Sequence, residues 1–378
     1  MKRRQRGVAL ITVLLVVAIV TVVCAGLIAR QQLAIRASSN QIQARQALQY
    51  ALGGEALAQG ILARDLKAPG RAPGPGVDHP QEAWARPLPT FPIEQGEITV
   101  RIEDLSGRFN LNSLVQARPG VQQGEGGDPQ GAAGGEVNSA ALRQFRRLLV
   151  NLGIEQPAYA NRLVDWLDNR PERYQDSGAE DNEYLLAEPA YRAGNRRIED
   201  ISELRLLLGM TDEDYRRLLP HVSALPSDAA LNVNTASAMV LASLRDNLTP
   251  GAAQALVQGR PAEGYRTLDE FTQILDNLAP PGAGASENEP VDPNASGEFD
   301  PGNPQGEGAS RGQARLALNS QYFQVIAEVR VADRRQVMVS TLQREAANAS
   351  GGAGNVRVLQ RNFGLSVQLT PAAARKGS

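Results

Sequence analysis

Gly7-Val-Ala-Leu-Ile-Thr-Val-Leu-Leu-Val-Val-Ala-Ile-Val-Thr-Val-Val-Cys-Ala-Gly-Leu-Ile-Ala29 is the stretch on which the fold turns. From Val8 to Ala29 it holds 22 uncharged residues. As a helix rising about 1.5 Å per residue they make a rod roughly 33 Å long, enough to cross a bilayer. Ahead of it stand Lys2, Arg3, Arg4 and Arg6, which hold that end in the cytoplasm by the positive-inside bias, so the rest of the chain is expected on the far side. A cleaved secretory signal has a shorter apolar core and then an Ala-x-Ala-like site, and none follows Ala29. Arg30 to Lys67 continues without a proline, and Leu33, Ile42, Leu48, Leu52, Leu57, Ile61, Leu62 and Leu66 recur near the helical period. One helix is therefore expected, membrane-spanning over 8–29 and amphipathic over 30–68.

This N-terminus resembles that of type IV pilins and type II secretion pseudopilins. In that family a peptidase removes a short basic leader just after a glycine and methylates the new amine. The resemblance puts the cut between Gly7 and Val8, leaving the rod attached and making 1–7 the leader. Most members carry a glutamate at the fifth residue after the cut; this chain has Thr12. A carboxylate in hydrocarbon is costly unless paired, and in a filament its partner is taken to be the amine of the adjacent subunit. A subunit with nothing stacked ahead of it has no such partner. Thr12 is then expected to mark the filament end, the position the resemblance implies for the K-type minor pseudopilin. From the N-terminus alone, an ordinary single-pass anchor with leader-like charges is the other reading.

Seven prolines between Pro69 and Pro92 predict a loop. Gly96 to Asp104 alternates, with Ile98, Val100 and Ile102 on one face, and predicts a half-buried antiparallel strand. Asp104-Leu-Ser-Gly-Arg-Phe-Asn-Leu-Asn-Ser-Leu114 follows, where Gly107 permits a tight turn and Asn110 and Asn112 can tie their amides to nearby backbone. It resembles the segment where K-type pseudopilins leave the sheet for an inserted helical domain. The expected divisions are loop and first strand over 69–118, a Gly-rich linker over 119–136, and a helical insertion over 137–278. A disordered acidic Pro/Gly linker over 279–313 and returning strands and tail over 314–378 complete them. In the insertion, helices are predicted from a Ser139 cap to Gly153, from Pro157 through Leu167, from Ser202 to Leu208, over 212–219, through Met239 to Leu244, and over 252–258. Tyr322–Val331 and Arg335–Gln343 predict a hairpin, and 356–365 an edge strand. The fold class is α+β and pilin-like: a long N-terminal helix on a small antiparallel sheet, interrupted by a large all-α insertion with two helix-hairpin-helix-like or SAM-like halves.

Between Asp165 and Glu183 seven carboxylates stand against two arginines. Like charges gathered in one loop repel, and oxygen donors without His or Cys suit a hard cation such as calcium better than zinc. No EF-hand spacing is present, and a solvated acidic loop is the plain alternative. Trp166-Leu-Asp168, Gly178-Ala-Glu-Asp181 and Tyr184 resemble the calcium-binding loop of K-type pseudopilins, although many members have an acid where this chain has Arg170. The resemblance implies Asp168, Asp176, Glu180 and Asp181 as ligands.

A net charge of −2 and a pI near 5.9 give no basic footprint for nucleic acid or an anionic surface. Leu231-Asn-Val-Asn-Thr-Ala236 also resembles a helix-hairpin-helix entry, but Asp246 to Gly251 lacks the Gly-x-Gly and the positive flanks a DNA grip needs. Cys24, the only cysteine, lies in the apolar rod, so no disulfide is expected. His79 and His221 have no evident nucleophile partner in the sequence, so catalysis is not expected. The resemblance implies a minor pseudopilin at the tip of the type II secretion pseudopilus, anchored in the inner membrane with its C-terminal domain periplasmic. Its partners are then I-type and J-type minor pseudopilins, other pseudopilins, the inner-membrane assembly platform and exported proteins. A membrane-anchored calcium-binding adhesin or binding module is the alternative.

Overall fold

Helix α1 (Gln5–Asp65) runs unbroken for 61 residues. In the computed structural model, which describes residues 5–67, 76–116, 135–280, 315–332, 334–345 and 354–363, its apolar half stands clear of the rest of the chain, with Leu10 to Ile28 exposed. Packing begins at Ala47. Ala47, Ala51, Gly54, Ala58 and Leu62 recur every three or four residues and are buried on the sheet. Their small size sets how near the helix comes: a Cβ on Gly54 would lie 2.8 Å from Val100 Cγ2. Glu55, on the same face, accepts from Arg361 Nε at 2.9 Å and Nη2 at 2.8 Å and from Ser340 Oγ at 2.5 Å, tying the helix to two strands.

The sheet has five antiparallel strands in the order of β1 (Phe91–Ile93), β2 (Gly96–Asp104), β3 (Tyr322–Val331), β4 (Arg334–Glu345) and β5 (Asn355–Phe363). β2 and β3 pair from Gly96↔Val331 to Asp104↔Phe323, although everything from Leu105 to Gln321 lies between them in sequence. Ile98, Val100 and Ile102 meet Phe323, Val325, Ala327, Val329, Met338 and Leu342 beneath α1, as the alternation in β2 requires. β5 sits at the edge. β1 was not expected: the proline-rich stretch pairs Pro92 with Glu97, and an outer strand tolerates a proline because its missing N–H faces no neighbour.

Between β2 and β3 the chain folds into α2 (Ser139–Asn151), α3 (Ala158–Leu167), α4 (Asp181–Tyr184), α5 (Asp212–Leu218), α6 (Ala238–Ala242), α7 (Pro250–Gln258) and α8 (Leu268–Leu278) around a separate core. Phe109 and Phe145 stack there, ring centres 5.4 Å apart. Asn138, not Ser139, caps α2 through its side-chain oxygen on Ala141 N at 3.1 Å. Ile201–Leu206 is 3-10 rather than α; Asp200 caps it, and the chain turns extended at Leu207 before Gly209 at φ +77°. α7 starts at Pro250 behind a Thr249 cap, since a first-turn proline forfeits no helical bond. The leader's first four residues, most of the expected linkers over 119–136 and 279–313, Asp333 and the C-terminal tail lie outside the described residues.

Two asparagines fasten the insertion at its root. The Asn112 amide donates to Ile198 O and Leu225 O, both at 2.9 Å, and its oxygen accepts from Ile198 N at 2.9 Å. Asn110 accepts from Leu225 N at 3.0 Å and donates to Pro226 O at 2.7 Å. These bonds reach across the domain as well as locally. Asn112→Leu strands three buried backbone groups and is expected to cost about 3–5 kcal/mol, read by urea unfolding; a loss under about 1 kcal/mol would show that the bracket is dispensable.

Candidate cation site and anchor

Asp165 and Asp168 come from the end of α3, and Glu180 and Asp181 from the start of α4. The intervening loop folds back because Asp165, fully buried, accepts backbone N–H bonds from Tyr174 and Ala179, both at 2.7 Å. Gly178 makes this closure possible: a Cβ there would lie 2.2 Å from Asp165 Oδ2. Gly194 does the same against the Trp166 indole, where a Cβ would stand 2.7 Å from the ring, and Trp166 meets Tyr184 edge-on at 5.5 Å.

The loop concentrates carboxylates in a dry place. Asp168 and Glu180 are buried, at 3% and 5% exposure. Burial pushes Glu180 up to about 8, with Asp165, Asp168, Asp181 and Glu183 adding to the rise. Burial likewise lifts Asp165 to about 6 against its two N–H bonds, and raises Asp168 despite Arg170. Arg170 occupies Asp168 from Nε at 2.9 Å and Nη2 at 2.7 Å. Glu180 Oε1 is buried with no hydrogen-bond partner.

Of the four residues expected as ligands, Asp168 and Glu180 are both buried, and the Asp168 charge acts on Glu180. Asp181 is held by Ala193 N and Arg192 Nη1 at 3.0 Å each. Asp176 is exposed. Asp165 was not among the four; its place three residues before Asp168, one helical turn away, is the signal that would have found it. Among the described residues, a group of three carboxylates whose oxygens all lie within 4.8 Å of one another is found elsewhere: Asp65, Asp78 and Glu82.

Gly7 and Val8 fall inside the first turns of α1, and Thr12 on its exposed apolar stretch. α1 is long and apolar enough to cross a membrane. His221 Nδ1 lies 3.1 Å from Ser237 Oγ, but that hydroxyl caps α6 through Val240 N, and burial lowers the imidazole pKa ahead of Arg108. The pair is a capping arrangement. Asn232 and Asn234 spend their amides internally, on Asp78 O, Ser320 Oγ and Tyr265.

Profiles of the family described as Type II secretion system (T2SS), protein K match residues 107–227 and 231–288, the insertion from its root to past α8. The chain is similar to a Type II secretion system protein K of Pseudomonas aeruginosa, 48% identical over 96% of this chain and 94% of that one. A Type II secretion system protein K of Pectobacterium carotovorum is 33% identical over 96% and 98%. Among solved structures, a chain of the GspK-GspI-GspJ complex from enterotoxigenic Escherichia coli superposes with a TM-score of 0.64 at 26% identity, covering 87% of this chain and 99% of that chain. With a membrane-length helix on a five-stranded sheet and a helical insertion between β2 and β3, matched nearly end to end by these relatives, the chain belongs to the type II secretion system protein K family.

Proposed function

We propose that this minor pseudopilin caps the tip of the type II secretion pseudopilus and controls its assembly during export of folded proteins. The observation that carries the reading is the likeness of 87% of the chain to a chain of a GspK-GspI-GspJ complex, which supports I-type and J-type minor pseudopilins as its partners. The fold agrees with an end position. The insertion is about the size of an ordinary domain and adds bulk that a subunit stacked above would have to clear. Thr12 removes the acid that would seek a neighbour's amine. The anchor lies in the inner membrane, its basic end cytoplasmic and its domains periplasmic. The chain acts by assembly, not turnover.

The N-terminal part of this reading has a direct test. The mass of the membrane form should fall by the seven leader residues and gain one methyl group; an intact Met1 or a cut beyond Ala29 would overturn it. The position has another: an antibody to the insertion should label isolated pseudopili at one end only, and label along the shaft would sink the cap.

We also propose that the α3–α4 loop takes a calcium ion, with Asp168 and Glu180 as its central ligands and Asp181 and Asp176 as the outer ones. Support comes from the donor chemistry, all oxygen, and from Glu180 Oε1, buried without a partner. Bound calcium would supply the charge that the carboxylates lack. Arg170 would yield its hold on Asp168 to it.

A further inference from the structure

Helix α1 leaves its apolar span and travels alone before it reaches the sheet. Past Ala29, residues 30–42 are exposed throughout, and packing on the chain's own body begins at Ala47. Ile35 and Ile42 stand 61% and 57% exposed there. At about 1.5 Å per residue Ile42 lies roughly 20 Å beyond Ala29, out of reach of the hydrocarbon.

The charge of this stretch has one sign. From Val8 to Gly54 the sequence holds Arg30, Arg36 and Arg45 and no acid. All three are exposed, and among the described residues none of them forms an ion pair. Glu55, the first acid along the helix, is buried and taken by Arg361 and Ser340.

Helical geometry sorts these residues by face. At about 100° per residue, Ile35, Ile42 and Arg45 fall within about 80° of one another, with Arg30 about 60° further round. Ala47, Ala51, Gly54, Ala58 and Leu62, which hold the sheet, lie on the opposite side, and Arg36 falls with them. An anionic membrane surface does not account for Arg45. That residue lies about 24 Å beyond Ala29, past headgroups about 5–8 Å deep and then by about two Debye lengths. A helix rising from the same membrane runs level with the whole stretch. It can cover both isoleucines and set a carboxylate beside the arginine.

We infer, building on the I-type and J-type partnership proposed above, that the face of α1 carrying Ile35, Ile42 and Arg45 seats the parallel N-terminal helix of one such partner, apolar against the isoleucines and acidic at the level of Arg45. The pairing sets how far each subunit stands out of the membrane relative to the other, since a slip of one turn, about 5.4 Å, separates the charges. Arg45 reads that level.

Copurification in nanodiscs of phosphatidylcholine alone, which hold no anionic headgroup, tests the face. The full chain should capture its partners there; Arg45→Glu should weaken capture at least about tenfold, and Arg36→Glu should change it less than about twofold. Arg45 is exposed and unpaired in the single chain, so the variant should unfold at the wild-type temperature. Each acid of the partners' first helices is then replaced by arginine in turn, and one replacement should restore capture by the Arg45→Glu chain. Capture that survives Arg45→Glu, loss that no partner arginine restores, or equal loss from Arg36→Glu would each overturn the pairing. A requirement for phosphatidylglycerol would overturn it too, by making the stretch a lipid contact. A wild-type chain that captures neither partner is a distinct result, which overturns the proposed function along with the pairing.

Discussion

Replacing Arg344 by methionine is expected to destabilise the pilin body by about 3–5 kcal/mol, the cost of removing the guanidinium shared by the buried Asp78 and the half-buried Asp65. The side chain is 2% exposed and serves partners on three segments: Asp65 at the end of α1, Asp78 in the loop after α1 and Ser320 O ahead of β3. Its guanidinium also lies over the Phe323 ring, 4.6 Å from the centre. Methionine matches the stem but none of these contacts. Thermal unfolding of the body should drop by roughly 10 °C or more. Adding Asp78→Asn should recover part of that loss, because one of the stranded charges goes with it. A single substitution costing less than about 1 kcal/mol would mean that water reaches the pair and that the junction is not dry.

Calcium should raise the unfolding temperature of the insertion and a chelator should lower it. Binding to the folded loop alone contributes about 2.7 kcal/mol when the free ion stands at a hundred times its dissociation constant. Glu180→Gln keeps the shape of the side chain and removes the charge. It should raise stability in chelator, where the buried carboxylate has no counter-ion, and abolish most of the calcium response. Asp176→Asn, at an exposed position, should leave most of the response intact. Gly178→Ala should resemble loss of the ion, since a Cβ 2.2 Å from Asp165 Oδ2 forces the loop open before any ion arrives. An unfolding temperature identical with calcium and with chelator would remove the site.

The parts of this fold that follow from local periodicity were legible. Gly96–Asp104 and Tyr322–Val331 have the bounds that their alternation predicts, and α1 needs only an uninterrupted helical pattern. Less legible was anything decided across the chain. Asn110 and Asn112 read as local turn formers, and Asn110 does accept from Asn112 N, yet their other partners lie at Ile198, Leu225 and Pro226. β1 was hidden because a proline in a short run argues against a strand unless the run is known to be an edge. The same limit applies to the acidic loop. Composition shows that carboxylates gather there; it cannot show that Asp165 closes the loop through two backbone N–H groups while Asp176 faces water. The Asp65–Asp78–Glu82 group had no sequence signal, because its members become neighbours only when the loop after α1 lies on the sheet.

Copurification of this chain with the I-type and J-type minor pseudopilins of its own secretion system, followed by the mass of the eluted particle, tests the central claim most directly. The expected result is one stable complex with a single copy of each subunit. A chain that elutes alone in the presence of both partners would contradict it.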